Sequence, residues 1–592
     1  MKDSIPARFL ATSDRCGDQP GYHVFLEGRW HATSWSTYGA QVRQAAKSLM
    51  ALGLEPGHTV GILGFNRPEW SIVDHASMVA GGAPAGIYTT CSPEEVAYIV
   101  GHSEAGIVLV EDHPQYLKLK ETRGDLPKLR HIVLMHGSPP VADDPMVLTW
   151  QAFLDAGAGI DDKAVQQRLD GITPDQTATY IYTSGTTGPP KAVELSHGNL
   201  AWTATTACTI AALDGNDSSV SYLPLSHIAE QMFTLHAPAT VGYPVFYAES
   251  IQRVPENLKS VQPTVVFGVP RIWEKMHAKV ASRLAEAKGL KKRVADFAFR
   301  TGRTVTELRN HGEVPSGTLA LKYRVANALI FKKVKPLMGL SKARLCVSGA
   351  APISKEVLDF FAGLDIPIYE VYGQSEDCGP TSFNLPGQTR LGTVGKPLPD
   401  TEVRIADDGE ILVKGPHVFK GYAKDPKATA EALVDGWLCT GDLGAFDDEG
   451  YLVITGRKKD IIITAGGKNI APKNIEAALT DLVLVSQAVV IGDRRKFLSA
   501  LITLDPDAVE TFRAQTGFEG PAHEAPALRD AVQQGIDATV NPRFAQVEHV
   551  RKFTVLDREL SIEDGELTPT LKIKRRIVND HFADTIDAMY QD

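Results

Sequence analysis

Thr183-Ser184-Gly185-Thr186-Thr187-Gly188-Pro189-Pro190-Lys191 follows a β-branched and aromatic run from Ala178 to Tyr182 and precedes a second extended run from Ala192 to Leu195. A strand, a turn crowded with hydroxyls and glycines, and another strand are the parts of a loop that cradles phosphate. Glycine backbone adopts φ > 0 and brings N–H groups against an anion. Thr183, Ser184, Thr186 and Thr187 add hydroxyl donors, Gly185 and Gly188 allow the bend, and Lys191 supplies a point charge for a phosphate oxygen. A Walker loop is excluded, because that motif requires Gly-x-x-x-x-Gly-Lys-Ser/Thr opening a helix. Here Lys191 follows two prolines and leads into Ala192. Those prolines remove two N–H donors and fix φ, which suits a rigid exit from a turn. Ordinary hairpin turns share this composition, so the loop indicates polyphosphate binding without deciding it.

At 592 residues the chain is too long for one core, and typical domain sizes suggest about three or four units. Its 43% hydrophobic and 22% charged content is that of a soluble globular protein. A formal net charge of −10 argues against nucleic acid as a partner. The six cysteines are scattered, with no CxxC pair and no metal-finger spacing, which fits a reducing compartment. Met1 to Pro6 lacks the apolar stretch of a signal peptide, and no apolar run approaches the ~20 residues of a membrane span. The expectation is a cytoplasmic enzyme.

Short apolar strands alternate with helical patterns through residues 40–370, which reads as α/β with largely parallel sheets. Val60 to Leu63, Ile107 to Val110 and His131 to Leu134 read as buried strands, as do Thr264 to Phe267 and Arg344 to Val347. The last two run into glycine-containing loops and then helices, the arrangement that binds ligands in open α/β sheets. From about Gly392 to Thr455 short strands punctuated by Asp-Gly turns suggest a small β-rich unit. Arg457-Lys458-Lys459-Asp460 is a charged joint leading into a smaller α/β stretch that ends in a basic cluster, Lys572 to Arg576. No repeat or low-complexity segment interrupts this organisation.

Separated motifs line up in order: the Thr183–Lys191 loop, Tyr372-Gly373-Gln374-Ser375-Glu376, Thr440-Gly441-Asp442, Gly456-Arg457-Lys458-Lys459-Asp460 and Lys572-Ile573-Lys574-Arg575. The series resembles the adenylate-forming superfamily of acyl-CoA synthetases, peptide-synthetase adenylation domains and luciferases. Leu223-Pro224-Leu225-Ser226-His227-Ile228-Ala229-Glu230 and Val269-Pro270-Arg271-Ile272-Trp273-Glu274-Lys275 resemble long-chain fatty acyl-CoA synthetases. Ser348-Gly349-Ala350-Ala351-Pro352-Ile353-Ser354 with Asp365-Ile366-Pro367-Ile368 is similar to their bubblegum-type branch. The implied fold is α/β. A large N-terminal domain, residues 1–456, carries two doubly wound sheets plus a small β-rich subdomain at about 392–456. A smaller mobile C-terminal α/β domain spans 457–592.

Activating a carboxylate with ATP brings an anion against an anionic α-phosphate, so the enzyme must neutralise the charge that builds there. The resemblance puts Glu376 on Mg²⁺, with Thr183 sharing the metal, since a hard cation takes oxygen ligands and bridges phosphates. Asp442 would accept hydrogen bonds from the ribose hydroxyls, and Arg457 would reach the same sugar. Gly349, Ala350 and Ala351 would lie beside the adenine, with Tyr372 stacking on it and Gly373, Gln374 and Ser375 completing the turn to Glu376. Each carboxylate taken alone reads equally well as a surface or turn residue.

Lys572 is the expected catalytic cation, with Lys574 as the alternative. The family's closing motif is matched from the lysine onward, whereas Thr568-Pro569-Thr570-Leu571 departs from it upstream. Ser375 is a second departure, standing where the family usually has threonine; it keeps a hydroxyl. The resemblance implies two half-reactions in two arrangements of the C-terminal domain. Acyl-adenylate and pyrophosphate form first; rotation about Lys459 then withdraws Lys572 and admits CoA. Gly466-Gly467-Lys468-Asn469-Ile470-Ala471-Pro472 would turn towards the site in the second arrangement, and opens a helix with Ile475, Ala478 and Leu479 on one face.

The implied activity is ATP- and Mg²⁺-dependent conversion of long-chain or very-long-chain fatty acids to acyl-CoA. The alternatives are a fatty acyl-AMP ligase loading a carrier protein and a non-catalytic acyl or nucleotide sensor. His227 and Trp273 are candidates to gate an acyl tunnel, with a hydrogen-bonded histidine and a core aromatic as the plain readings. Residues 275–335 are basic and interspersed with apolar side chains, a pattern that fits either a solvated helix pair or peripheral contact with an anionic membrane.

Overall fold

The computed structural model describes residues 3–183, 189–466, 468–568 and 572–591. An eight-stranded sheet anchors the N-terminal part. Its order is Gly421–Tyr422, Lys191–Ser196, Thr177–Thr183, Ala83–Ile87, Thr59–Leu63, Ile107–Val110, His131–Leu134 and Val147–Leu148. Pairings from Thr177–Thr183 onward are parallel, and the first two are antiparallel. Thr59–Leu63, Ala83–Ile87 and Ile107–Val110 are buried at every position, as strands covered by helices on both faces must be.

A second layer aligns Val265–Gly268, Leu345–Ser348 and Ile368–Tyr372 in parallel, then Ser382–Phe383 and Lys396–Pro397 antiparallel. A four-stranded sheet (Arg29–Ser34, Pro20–Leu26, Val245–Tyr247, Ser219–Ser221) continues it. The join is made by the Thr264 and Val265 N–H groups, which both donate to the Ser218 carbonyl at 3.2 and 3.1 Å. The expected pair of wound sheets is present, with antiparallel edges.

The β-rich unit is an antiparallel sheet of Glu402–Ile405, Glu410–Lys414, Leu433–Val434, Trp437–Phe446 and Leu452–Arg457. It differs from the expectation in one respect. Gly421–Tyr422 leaves it to pair with Val193 and Glu194 on the large sheet. Asn199 helps to hold this excursion in place. Its side chain shares a capping box with Ser196 at the start of helix His197–Ile210, and also donates to the Pro416 and Val418 carbonyls at 2.7 and 3.0 Å.

Beyond the joint, Val485–Ile491, Leu498–Leu504 and Val550–Val555 form a three-stranded sheet flanked by helices that include Pro472–Thr480 and Arg575–His581. Ile475, Ala478 and Leu479 are buried on one helical face, as their spacing requires. The two apolar clusters of this region contain only residues from Ile462 onward. Polar contacts cross to the N-terminal part: Arg271 to Ser486 at 2.7 Å and to Glu559 at 4.0 Å, and Arg543 to Glu356 at 3.6 Å. Half-exposed pairs of this kind contribute little each and release easily.

Candidate active site

Strands Leu345–Ser348 and Ile368–Tyr372 are parallel neighbours, and both end at one edge of the second layer. The first runs into Gly349-Ala350-Ala351, where Ala350 holds φ +68, an unfavourable region for a residue with a Cβ. The second runs into Gly373, where an added Cβ would sit 1.5 Å from the Gly379 carbonyl oxygen, so only glycine lets the turn close on itself. Among the described residues, Ser348 Oγ and Gln374 Nε2 are buried here without a partner.

Glu376 lies in the turn Ser375–Asp377, which a fully buried Asp377 holds rigid. One Asp377 oxygen accepts from the Gln374 N–H and the other from the Thr381 hydroxyl, both at 2.6 Å. Burial pushes the Asp377 carboxyl well above the usual range. Ser375 is itself buried. The Tyr422 hydroxyl donates to Glu376 Oε1 at 2.7 Å, and Lys191 Nζ lies 4.8 Å from the centre of the Tyr422 ring. Tyr422 therefore couples the phosphate-loop lysine to the turn glutamate. At the base of that loop, Thr183 and Lys191 face each other in antiparallel register. Ser184, Gly185, Thr186, Thr187 and Gly188 lie outside the described residues.

Asp442 and Arg457 are cross-strand partners. Arg457 Nε is 3.2 Å from Asp442 Oδ1, and the Tyr372 hydroxyl donates to Asp442 Oδ2 at 3.0 Å. Tyr372 is 8% exposed, so besides any stacking surface it presents, it orients this carboxylate. Gly441 N–H donates to Glu410 at 2.8 Å, holding the turn that aims Asp442.

Lys572 enters from the C-terminal part. An isolated bridge joins Leu567 to Ile573, and the Thr568 N–H donates to the Lys572 carbonyl at 2.7 Å. Glu566, fully buried, anchors this segment through two 2.7 Å bonds from Arg558. Lys572 is exposed, and groups of both parts act on it, Lys473 from its own and Arg457, Asp442 and Glu376 from the other. Desolvation by those surroundings, then Arg457 and Lys473, pull its pKa down to about 8 against the opposing charges of Asp442 and Glu376. Lys574 instead stands at the N-cap of helix Arg575–His581, its N–H donating to the Glu566 carbonyl at 2.7 Å. Between the two lysines, the geometry favours Lys572.

His227 also faces this cluster: burial first and the Lys572 charge second lower its pKa to about 4, and its Nδ1 accepts from the Ala229 N–H at 3.2 Å. It is a neutral histidine beside this cluster. Trp273 is fully buried, donates to the Gly268 carbonyl at 3.1 Å and packs on Phe361. It packs as a core residue, the plain reading of that position. Lys459 is exposed in the turn Lys458–Asp460, outside the cluster, while its neighbour Lys458 pairs with Asp408 and Glu410 at 2.6 and 2.9 Å.

Residues 13–423 match the AMP-binding enzyme family, and residues 459–592 match the AMP-binding enzyme C-terminal domain. The chain belongs to the AMP-binding enzymes. It is 38% identical over 624 residues to the Long-chain-fatty-acid--CoA ligase ACSBG2 of Xenopus laevis, covering 100% of this chain and 84% of that one. Identity to the Long-chain-fatty-acid--CoA ligase FadD15 of Mycobacterium tuberculosis is 37% over 585 residues, covering 97% and 95%. The fold matches the A domain of carboxylic acid reductase from Segniliparus rugosus, solved with AMP and a co-purified carboxylic acid. That TM-score is 0.75 at 20% identity, covering 99% of this chain and 94% of that one. Within this AMP-binding enzyme, sequence reading missed Tyr422 and Lys473. Tyr422 sits beside Gly421, whose φ of +146 marks a special backbone position, and that Gly-Tyr pair was the available signal. Lys473 stands one residue into a helix and carries none.

Proposed function

We propose that this AMP-binding enzyme is a long-chain fatty acid:CoA ligase that works through an acyl-adenylate. The observation that carries the reading is Lys572, delivered from the C-terminal part into the cleft that holds Glu376 and the Asp442–Arg457 pair. Its relatives' names supply the acid and the acceptor.

In the first step a carboxylate oxygen of the acid attacks the α-phosphorus of ATP. The bond to the bridging oxygen breaks, and pyrophosphate leaves with the electron pair. Lys572 lies where it can neutralise charge shared between the carboxylate and the α-phosphate, and Lys191 where it can meet the outer phosphates. Asp442, held by Tyr372 and Arg457, keeps lone pairs for the ribose hydroxyls. In the second step the CoA sulfur, having lost its proton, attacks the acyl carbonyl carbon and AMP leaves.

Glu376 and Thr183 are the oxygen donors that would hold Mg²⁺. Among the described residues no group of three or more His, Cys, Asp or Glu could hold a metal without other ligands. A single carboxylate suits Mg²⁺ carried in on a triphosphate, because that ion keeps waters and phosphate oxygens as ligands. When bound, it would neutralise phosphate charge.

Desolvation and two neighbouring cations, Arg457 and Lys473, make the Lys572 charge costly to hold in this cleft. Anionic ATP removes that cost, and pyrophosphate loss restores part of it. Rotation about Lys459, across the thin polar contacts described above, would then release the C-terminal domain, residues 457–592, for the second step.

The test supplies preformed fatty acyl-adenylate together with CoA or a holo acyl carrier protein. AMP release is expected with CoA, and in a panel of acids with long chains preferred over short. Release with the carrier protein alone would replace this reading with acyl-AMP ligase activity.

A further inference from the structure

Residues 288–337 hold twelve Lys and Arg against three Asp and Glu, a net +9 inside a chain of net −10. Six of the fourteen exposed large hydrophobics among the described residues fall in this same stretch. Positive charge and exposed aliphatic surface have been concentrated together on one helical hairpin.

Helix Gly289–Asn310 packs against Gly317–Ala326 and the turn Asn327–Phe331 that prolongs it. Ala298, Phe331 and Phe297 share one small apolar cluster with Ile330. That pairing sets the start of the first helix beside the end of the second. Leu321, Val325 and Leu329 recur at four-residue spacing along the second helix and are 63%, 42% and 42% exposed. Leu290, 74% exposed, lies at the start of the first helix beside Lys291 and Lys292, and Lys332 and Lys333 follow Leu329. Arg309 and Lys335 turn inward to Asp365 at 2.6 and 2.7 Å, so they stiffen the hairpin rather than its outer face.

We propose that this face docks on an anionic lipid bilayer, lying in the headgroup interface with the Leu321–Val325–Leu329 stripe inserted and the lysines on acidic headgroups. Charge complementarity selects this occupant. A second copy would bring +9 against itself in a symmetric contact, and an acidic peptide or nucleic acid leaves the aliphatic stripe in water. A bilayer satisfies both features at once. Among the described residues no helix is long and apolar enough to cross a membrane, so the contact is interfacial. The inference rests on this surface and stands whether or not fatty acid is the substrate. Where it is, the bilayer is also where such acids partition.

Flotation of the full chain without nucleotide or acid tests it, using phosphatidylcholine vesicles with and without phosphatidylserine. Binding is expected with phosphatidylserine at low salt, falling as salt rises, and little with phosphatidylcholine alone. Replacing Lys332 and Lys333 by Gln should weaken partitioning roughly twenty-five-fold, at about fivefold per lysine. Leu321→Ser with Val325→Ser and Leu329→Ser should weaken it as well. These side chains are exposed, so thermal melting of both variants should match the parent and any loss of binding is then a surface effect. No flotation at low salt, or equal flotation of parent and variants, overturns the proposal. Self-association that the same substitutions abolish, without flotation, would assign the face to a second copy instead.

Discussion

Lys572→Ala lowers fatty acid-dependent pyrophosphate release by about 100- to 1000-fold, the scale of removing one preorganised donor from a charged transition state. The same variant handles thioester formation from supplied acyl-adenylate at close to the parent rate if, as proposed, Lys572 serves the first arrangement alone. ATP affinity changes less than kcat, as expected when the lost interaction is strongest in the transition state. Lys574→Ala stays within severalfold of the parent, since Lys574 caps helix Arg575–His581 through its backbone N–H to Glu566, which alanine keeps. The pH profile gives a second readout. Lys572 acts in its protonated form, and its pKa is pulled down to about 8. In the free enzyme, kcat/KM for ATP is therefore flat below that value and falls as pH rises through it. Lys572→Arg keeps its charge and removes the alkaline limb while adenylating more slowly. Equal loss of both half-reactions in Lys572→Ala would refute the assignment.

Glu376→Gln lowers adenylation by about 100-fold or more, because it removes the cleft carboxylate best placed to meet a phosphate-bound cation. Glutamine preserves an acceptor for the Tyr422 hydroxyl, so the loss reports charge. Raising Mg²⁺ recovers part of the rate, and the Mg²⁺ midpoint in an ATP titration moves upward. Tyr422→Phe supplies the control: the ring stays beneath Lys191 while the 2.7 Å bond to Glu376 disappears. Its expected effect is about tenfold, the lower end of what one hydrogen bond to a charged group contributes. Wild-type turnover and Mg²⁺ dependence in Glu376→Gln would remove Glu376 from the metal.

Local pattern carried much of this. Thr183 and Lys191 were legible as the two sides of a hairpin because β-branched runs flank a turn of glycines and prolines, and the register confirms it. The buried parallel strands were legible because continuous apolar runs have nowhere to sit except between helix layers. Tyr422 was not legible: its partner Glu376 lies 46 residues away, and they meet through long-range bonds, with Asn199 holding the Pro416 and Val418 carbonyls and the Phe419 N–H donating to the Glu376 carbonyl. Lys572 and Lys574 look alike in a basic run, and alternation puts residues two apart on the same face of extended backbone; what separates them is their surroundings, with Asp442 and Glu376 acting on Lys572. Trp273 shows the converse: a motif position suggested an acyl gate, and packing on Phe361 places it in the core.

The most direct test of the account is pyrophosphate release by the purified chain given ATP, Mg²⁺ and a long-chain fatty acid without CoA. A single stoichiometric burst that stalls, and then resumes as steady turnover with AMP release once CoA is added, is the predicted result. No pyrophosphate at saturating nucleotide and acid, or release that ignores the acid, would contradict it.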